Sequence, residues 1–229
     1  MRELIDPFHY GGAVFRVGLA TTEEERASCY TLRFLHFCLA VHAHDVVRLN
    51  PDDYPDGLER DDADKTGFLV MVTMTVEGIT TTVGTFRFNK CSIDNPGTVG
   101  HPFGDGLFEL PDTHRGEEVR PEEVFDAGRW VGHDVITPHG DQMVNIGMLL
   151  VEAGKVLSKE LGIRFWAVII LTRSARTLRR MGWPIDLIVP GTHQYCNLES
   201  EGCLIPMDPV YPHPCPRLGA KVKRVEKEK

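Results

Sequence analysis

The chain has 229 residues, 42% of them apolar and 25% charged, with a formal net charge of −8. That length fits one large domain whose hydrophobic core needs no disulfide or metal staple, and the acidic balance disfavours non-specific nucleic-acid binding, which needs a basic surface to displace phosphate counterions. No apolar run reaches bilayer length and the first residues, Met-Arg-Glu-Leu-Ile-Asp, carry no apolar signal core, so no membrane segment is expected, and the six scattered cysteines are expected to be reduced thiols of a cytoplasmic protein.

Residues 14–19 predict a short first strand. Residues 21–40 predict a helix: Thr21 or Thr22 can cap it, Glu23, Glu24 and Glu25 suit its positive end, and Cys29, Leu32, Leu35 and Leu39 recur on one side. Residues 42–66 are polar, with many Asp and Pro, and predict a long functional loop. Two β-branched apolar runs, 68–76 and 80–89, are separated by Glu77-Gly78 and predict an antiparallel hairpin. Residues 95–120, rich in Gly, Pro and charge, predict a surface excursion, and 124–131 a strand.

Residues 144–161 carry the clearest helical spacing, with Val144, Met148, Val151, Val156 and Leu157 in step and Gly162 as the stop. A buried strand over 165–171 follows, then a short basic helix over 174–181 that ends at Gly182-Trp183-Pro184, then a strand over 185–189. Alternation of strands and helices calls for a mixed sheet with helices on its faces. The expected fold class is therefore α/β (α+β), in one domain over 1–229. Its core covers about 14–191, and 192–229 forms an irregular extension.

Four segments carry chemistry together. They are Arg33-Phe34-Leu35-His36-Phe37 on the first helix, Glu59-Arg60-Asp61-Asp62-Ala63-Asp64 in the acidic loop, Gly84-Thr85-Phe86-Arg87 on the hairpin, and Asp126-Ala127-Gly128-Arg129-Trp130 on the next strand. Each alone reads equally as solvated surface or as an edge charge that deters aggregation. Arg87 and Arg129, however, sit inside apolar strands, where a charge needs a partner. Glu59, Asp61, Asp64 and Asp126 are available for that, and such a network in a cleft fixes polar ligands.

Other constellations point less clearly. His193, Cys196, Cys203, His213 and Cys215 cluster late in the chain, but their spacing matches no zinc module and no Cys-x-x-Cys knuckle is present. No metal and no cofactor is expected. His42 and His44 flank the acidic loop as surface residues, and Ser158, Ser174 and the cysteines lack a nucleophile-elbow context.

The ordered set resembles the acyl-homoserine-lactone (autoinducer) synthases of the GNAT-like acyltransferase superfamily. That family carries Arg and Phe four apart on the first helix, then Glu-x-Asp-x-x-Asp, Gly-x-x-Arg and Glu-x-x-Arg. The matching residues are Arg33 and Phe37, then Glu59, Asp61 and Asp64, then Arg87, then Asp126 and Arg129. The stretch from Leu171 to Gly182-Trp183 is similar too. Two positions depart: the family's tryptophan beyond the helix arginine falls near Ala43, and its strand glutamate is Asp126.

The resemblance implies a GNAT-like three-layer α-β-α fold with a mixed, largely antiparallel sheet. It implies transfer of an acyl chain from acyl carrier protein to the amine of S-adenosylmethionine, then lactone closure with release of methylthioadenosine. S-adenosylmethionine is then a substrate rather than a cofactor. Glu59 would be the base, with Asp126 second and Arg129 in the catalytic set. Arg33, Phe37, Asp61, Asp64, Arg87 and Thr172 would bind substrate, with Arg33 or Arg129 on the substrate carboxylate. Arg173, Arg176, Arg179 and Arg180 form a basic patch suited to an acidic carrier protein, or a solvated helix face. The stretch before residue 144, Thr137-Pro-His-Gly-Asp-Gln142, lacks the repeated glycines that cradle a coenzyme A pyrophosphate, which favours a carrier-protein donor. Met148, Leu149, Val168, Ile170 and Trp183 are candidates for the acyl tunnel. An N-acyltransferase acting on an amino acid, and a catalytically silent GNAT-like binding protein, are the alternatives.

Overall fold

The first strand is preceded by another. The computed structural model describes residues 1–39, 49–92, 102–103, 106–107, 110–132, 134–138, 143–180, 182–195, 198–207 and 223–224. β1 (Arg2–Tyr10) and β2 (Ala13–Leu19) pair antiparallel. β1 escapes prediction because two register shifts, between Glu3 and Ile5 and between Ile5 and Phe8, spoil its period-two pattern. Then comes α1 (Glu23–Phe37). Its start is a capping box: Thr22 Oγ1 accepts from the Glu25 N–H at 3.2 Å, and Glu25 accepts from the Thr22 N–H at 3.1 Å.

β3 (Phe68–Val76) and β4 (Ile79–Lys90) form the predicted hairpin. Its two-residue turn has positive φ at both Glu77 (51°) and Gly78 (82°), the geometry that matches the twist of the flanking strands. β5 (Val124–Gly132) follows, then α2 (Ile146–Leu161), capped by Asn145 and ended by Gly162 at φ 67°. β6 (Phe165–Leu171) runs directly into α3 (Thr172–Arg180), which starts two residues before its predicted bound. β7 (Asp186–Leu187), β8 (His193–Tyr195), β9 (Leu198–Pro206) and β10 (Lys223–Arg224) complete the main sheet. Its order is β7-β9-β6-β5-β4-β3-β2-β1-β10, with β8 also on β9. Every pairing is antiparallel except β5 with β6. The mixed, largely antiparallel sheet of the expected α/β class is therefore the one observed.

Side-chain alternation divides the sheet into two faces. Val70, Val72, Phe86, Phe88, Phe125 and Trp166 join Leu149, Leu150, Ala153 and Leu157 of α2 in the main core. Leu69 and Met71 point the other way and pack on Cys29 and Tyr30 of α1. The start of α2 seats tightly on the sheet because glycines meet there: a Cβ on Gly132 would lie 3.0 Å from the Gly147 backbone nitrogen. Among the described residues no helix is long and apolar enough to cross a membrane.

The largest departure from expectation is β9. Its sequence, Leu-Glu-Ser-Glu-Gly-Cys-Leu-Ile-Pro, reads as irregular, yet it pairs with β6 from Phe165↔Pro206 to Leu171↔Ser200. The charge that hides it is neutralised, Glu201 being held by Arg179 Nη1 at 2.7 Å. The predicted strand over 185–189 shortens to the two residues of β7. The tryptophan-equivalent position at Ala43, His42 and His44, and Cys196, His213 and Cys215 lie outside the described residues.

Gly154 supports the core most directly: an added Cβ would stand 2.5 Å from the Phe88 ring and 2.9 Å from the Trp166 indole. Gly154→Val should lower stability by about 2–3 kcal/mol, read as a lower urea midpoint with an unchanged m-value. A midpoint equal to wild type would show that this contact does not limit the packing.

Candidate active site

β5 and β6 are hydrogen-bonded only where Val124, Phe125 and Asp126 face Phe165, Trp166 and Ala167. Beyond that point they part. β5 is bent by a bulge: Thr85 faces Val131 and Arg87 faces Gly128, so Arg129 and Trp130 together oppose Phe86. Arg129 takes φ 55°, a left-handed conformation that costs energy in a residue with a Cβ. The gap between the strands holds a cavity of about 260 Å³, lined by residues 127–130 of β5 and 168–171 of β6. Side chains from both faces of the sheet line it. His36, Phe37, Asp61 and Arg87 line it from the α1 side, while Phe86, Val151, Trp166 and Leu178 line it from the α2 side.

On the α1 side the four sequence segments converge. Arg33 is 0% exposed, and all its guanidinium nitrogens are committed. Nε donates to Glu59, and Nη1 and Nη2 grip Asp64 at 2.7 and 2.9 Å. Arg87 Nη1 donates to Asp61 at 2.5 Å and lies 3.3 Å from Asp64. Arg129 reaches Asp61 and Glu59, at 3.3 and 3.2 Å, and its guanidinium stands 5.8 Å over the Phe37 ring. The acidic segment is held in shape by its own short helical turn: Asp61 caps Ala63, and Asp64 accepts from the Asp61 N–H at 2.9 Å. Asn89 fastens it to β4 by donating to the Ala63 carbonyl at 2.6 Å.

The pairing sets the charge states. Burial opposes the charge on Arg33, but the hydrogen bonds it donates to Asp64 and Glu59 outweigh it and hold the guanidinium above its ordinary pKa. Burial likewise opposes ionisation of Asp64, and the Arg33 fork outweighs it and keeps that carboxyl below the usual range. With no cation dominating, burial pushes the Cys29 thiol up to about 11 and those of Cys91 and Cys203 up to about 12. These three thiols are therefore not activated nucleophiles.

The expected site residues divide by their access to the cavity. Phe37, Asp61, Arg87 and Arg129 line it; Arg33, Glu59, Asp64 and Asp126 are buried and do not. Glu59, expected as the base, is 0% exposed and sits between Arg33 and Arg129. Thr172 is buried at the start of α3 and does not line the cavity, although Leu171 and Ser174 do. Val168, Ile170 and Trp183 line it as expected of tunnel residues, whereas Met148 and Leu149 stay in the core. In the basic patch, Arg173, Arg176 and Arg180 are exposed, but Arg179 turns inward to Glu201 and to the Ile185 carbonyl at 3.0 Å. Sequence reasoning missed His36, Trp166 and Ser200 as cavity residues. His36 lay inside a quoted motif and could have been weighed; Ser200 could not, because its strand was not foreseen. Among the described residues no group of three His, Cys, Asp or Glu is placed to hold a metal ion.

No protein-family model and no curated protein sequence matches the chain. Solved structures do. The fold matches that of MesI, a CoA-dependent acyl-homoserine lactone synthase, with a TM-score of 0.56 at 19% identity, over 85% of this chain and 90% of that one. It matches the acyl-homoserine lactone synthase LasI with a TM-score of 0.57 at 12% identity, over 87% and 92%. BjaI, a CoA-dependent acyl-homoserine lactone synthase solved with SAM and isopentyl-CoA, matches with a TM-score of 0.53 at 16% identity, over 81% and 77%. At these identities the likeness is one of fold.

Two outcomes test the ion network. Arg33→Ala leaves two buried carboxylates without their main cation and should cost about 3–5 kcal/mol in urea unfolding; a loss under about 1 kcal/mol would mean the pairing is not structural. Asp64 has a depressed pKa in the fold, so its stabilisation is present above the ordinary carboxyl value near pH 4 and is lost as pH falls through the lower folded value. Stability measured from about pH 5 to pH 2 should therefore fall more for wild type than for Asp64→Asn. Parallel curves would remove Asp64 as an acid-sensitive group.

Proposed function

We propose that the chain is an acyltransferase of the acyl-homoserine-lactone synthase type, joining an acyl chain to the amine of S-adenosylmethionine. One observation carries the reading: a guanidinium–carboxylate cage and an apolar aromatic slot meet in a single cavity where the sheet opens. Few ligands need both. S-adenosylmethionine joined to an acyl thioester does, because its sulfonium and ammonium favour carboxylates, its own carboxylate needs a cation, and the acyl tail needs apolar walls. The shared fold supports the reading, as does the pairing of SAM with an acyl-CoA in BjaI.

Arg129 is the cation for the substrate carboxylate, since it lines the cavity with 20% of its side chain exposed and Arg33 is enclosed. Asp61, 34% exposed, faces the cationic end of the substrate. Arg33, Glu59 and Asp64 position those two from behind. The amine attacks the thioester carbon, the carbon–sulfur bond breaks, and the thiol departs. A carboxylate oxygen of the methionine portion then attacks the carbon bound to the sulfonium. That carbon–sulfur bond breaks, a lactone closes, and methylthioadenosine leaves. The bulge on β5 places two residues against one on β4 beside the cavity, where a backbone N–H turned out of the ladder would be available. That group would receive the thioester oxyanion.

Acyl carrier protein is the donor that suits α3. Ser174 and Leu178 line the cavity from one side of this helix, and Arg173, Arg176 and Arg180 are exposed on the rest of it. A cytoplasmic location goes with both substrates.

The test is incubation with acyl carrier protein thioesters, or acyl-CoA, and S-adenosylmethionine, measuring free thiol and methylthioadenosine. Equal amounts of the two are expected. Thiol without methylthioadenosine would assign a different amine, such as an amino acid, and no thiol with any donor would remove acyl transfer. Arg129→Ala should lower kcat/KM for S-adenosylmethionine by about 100-fold, the loss of a charge-assisted clamp. An unchanged value would place that substrate elsewhere.

A further inference from the structure

Acylation at nitrogen requires an amine free of its proton, and the base must reach the cavity directly or through one water. Glu59 and Asp126 do not line it. Asp61 does, but Oδ1 is held by Arg87 at 2.5 Å and by the Ala63 N–H at 3.0 Å, while Oδ2 faces Arg129 at 3.3 Å. Protonating Asp61 would therefore break the ion pairs that shape the site.

His36 also lines the cavity. It comes from the last turn of α1, one residue before Phe37, and the two rings meet edge-on with centroids 4.8 Å apart. Phe37 lies in turn under the Arg129 guanidinium. The imidazole thus stands next to the groups that would clamp the substrate carboxylate. An ordinary carboxylate is a weaker base than an α-amine by roughly four orders of magnitude, an imidazole by roughly one. Among the described residues the charged groups lining the same cavity are Asp61 from the acidic loop, Arg87 from β4 and Arg129 from β5. Arg33, Glu59 and Asp64 lie behind them, with Asp126 on β5 and the Cys38 thiol at the end of α1.

Resting on the acyl-transfer reading above, we infer that His36 is the catalytic base. It takes one proton from the substrate ammonium and releases it to solvent. The second proton leaves nitrogen as the tetrahedral intermediate collapses, and departs with the thiolate sulfur when the carbon–sulfur bond breaks.

The experiment is a pH profile, from about pH 5.5 to 9, of thiol and methylthioadenosine formation by the full chain, wild type against His36→Gln. Wild type should show an acid limb, the rate falling as the base takes up its proton. His36→Gln should lose that limb and fall about 10²–10⁴-fold in kcat, with KM for S-adenosylmethionine within a few-fold and partial rescue by added imidazole. His36→Ala gives the same comparison, with more room for imidazole, if the glutamine variant fails to fold. A variant with the wild-type rate, or one that loses rate but keeps the limb and gains nothing from imidazole, overturns the inference. A wild-type protein that releases no thiol overturns the acyl-transfer reading and this inference together, whereas thiol release without methylthioadenosine sinks only the choice of amine, and the profile is then run with the amine that reacts.

Discussion

A fully enclosed arginine governs this structure. Arg33 cannot stay in the core without carboxylates, because an unpaired buried guanidinium costs several kcal/mol, on the order of 3–5. It obtains them from Glu59 and Asp64, and so ties the acidic loop to α1. The same loop meets Arg87 on β4 and Arg129 on β5 through Asp61. One pairing requirement thus brings a helix, a loop and two strands to one place. Apolar residues of similar size would hold such elements together at lower desolvation cost. A charged network that ends on a cavity is in keeping with the ligand role proposed for it.

The second constraint is the parting of β5 from β6. A parallel pair continued along its full length would close the sheet and leave the cage on one face with no route to the other. The bulge at Arg129 and Trp130 bends β5, while β6 keeps its ladder with β9 on its other edge over its whole length. The strained backbone at Arg129 serves both sides of the opening. It turns the guanidinium toward Asp61 and Glu59, and it leaves Trp130 stacked on Phe86 at 5.7 Å on the far face. Polar recognition and apolar containment therefore share a boundary one residue wide.

Much of this was legible in the sequence. The hairpin was readable to within a residue because β-branched alternation and a two-residue turn leave little freedom. α2 was readable because helical spacing and the Gly162 stop agree, although its expected start at Val144 lies two residues before the observed one at Ile146, which Asn145 caps. The pairing of Arg87 and Arg129 with carboxylates of the acidic loop followed from charges inside apolar strands, which force partners, whereas Arg33, on a helix, joined the set through the family resemblance. Two things were not legible. β9 hides behind Glu199 and Glu201, whose tolerance depends in part on Arg179, a residue distant in sequence and read as part of a surface patch. Nor does sequence order distinguish a carboxylate that lines a cavity from one sealed behind it. Glu59 and Asp61 are two residues apart and look alike in the motif, but one is enclosed by guanidinium groups and the other is a third exposed.

That difference between neighbours goes with the turn that follows them. In an extended loop successive side chains point to opposite sides, so residues 59 and 61 would share a direction. Here the turn over Asp62–Lys65, capped by Asp61, interrupts the extension. Glu59 is left facing inward to α1, and Asp61 stands at the rim between Arg87 and Arg129. Asp64 closes the turn by accepting from the Asp61 N–H and by meeting the Arg33 fork. The three carboxylates therefore do separate work: Glu59 and Asp64 fix Arg33 from behind, and Asp61 stands at the cavity rim between Arg87 and Arg129. Spacing alone cannot assign such roles, but the turn that the spacing produces can.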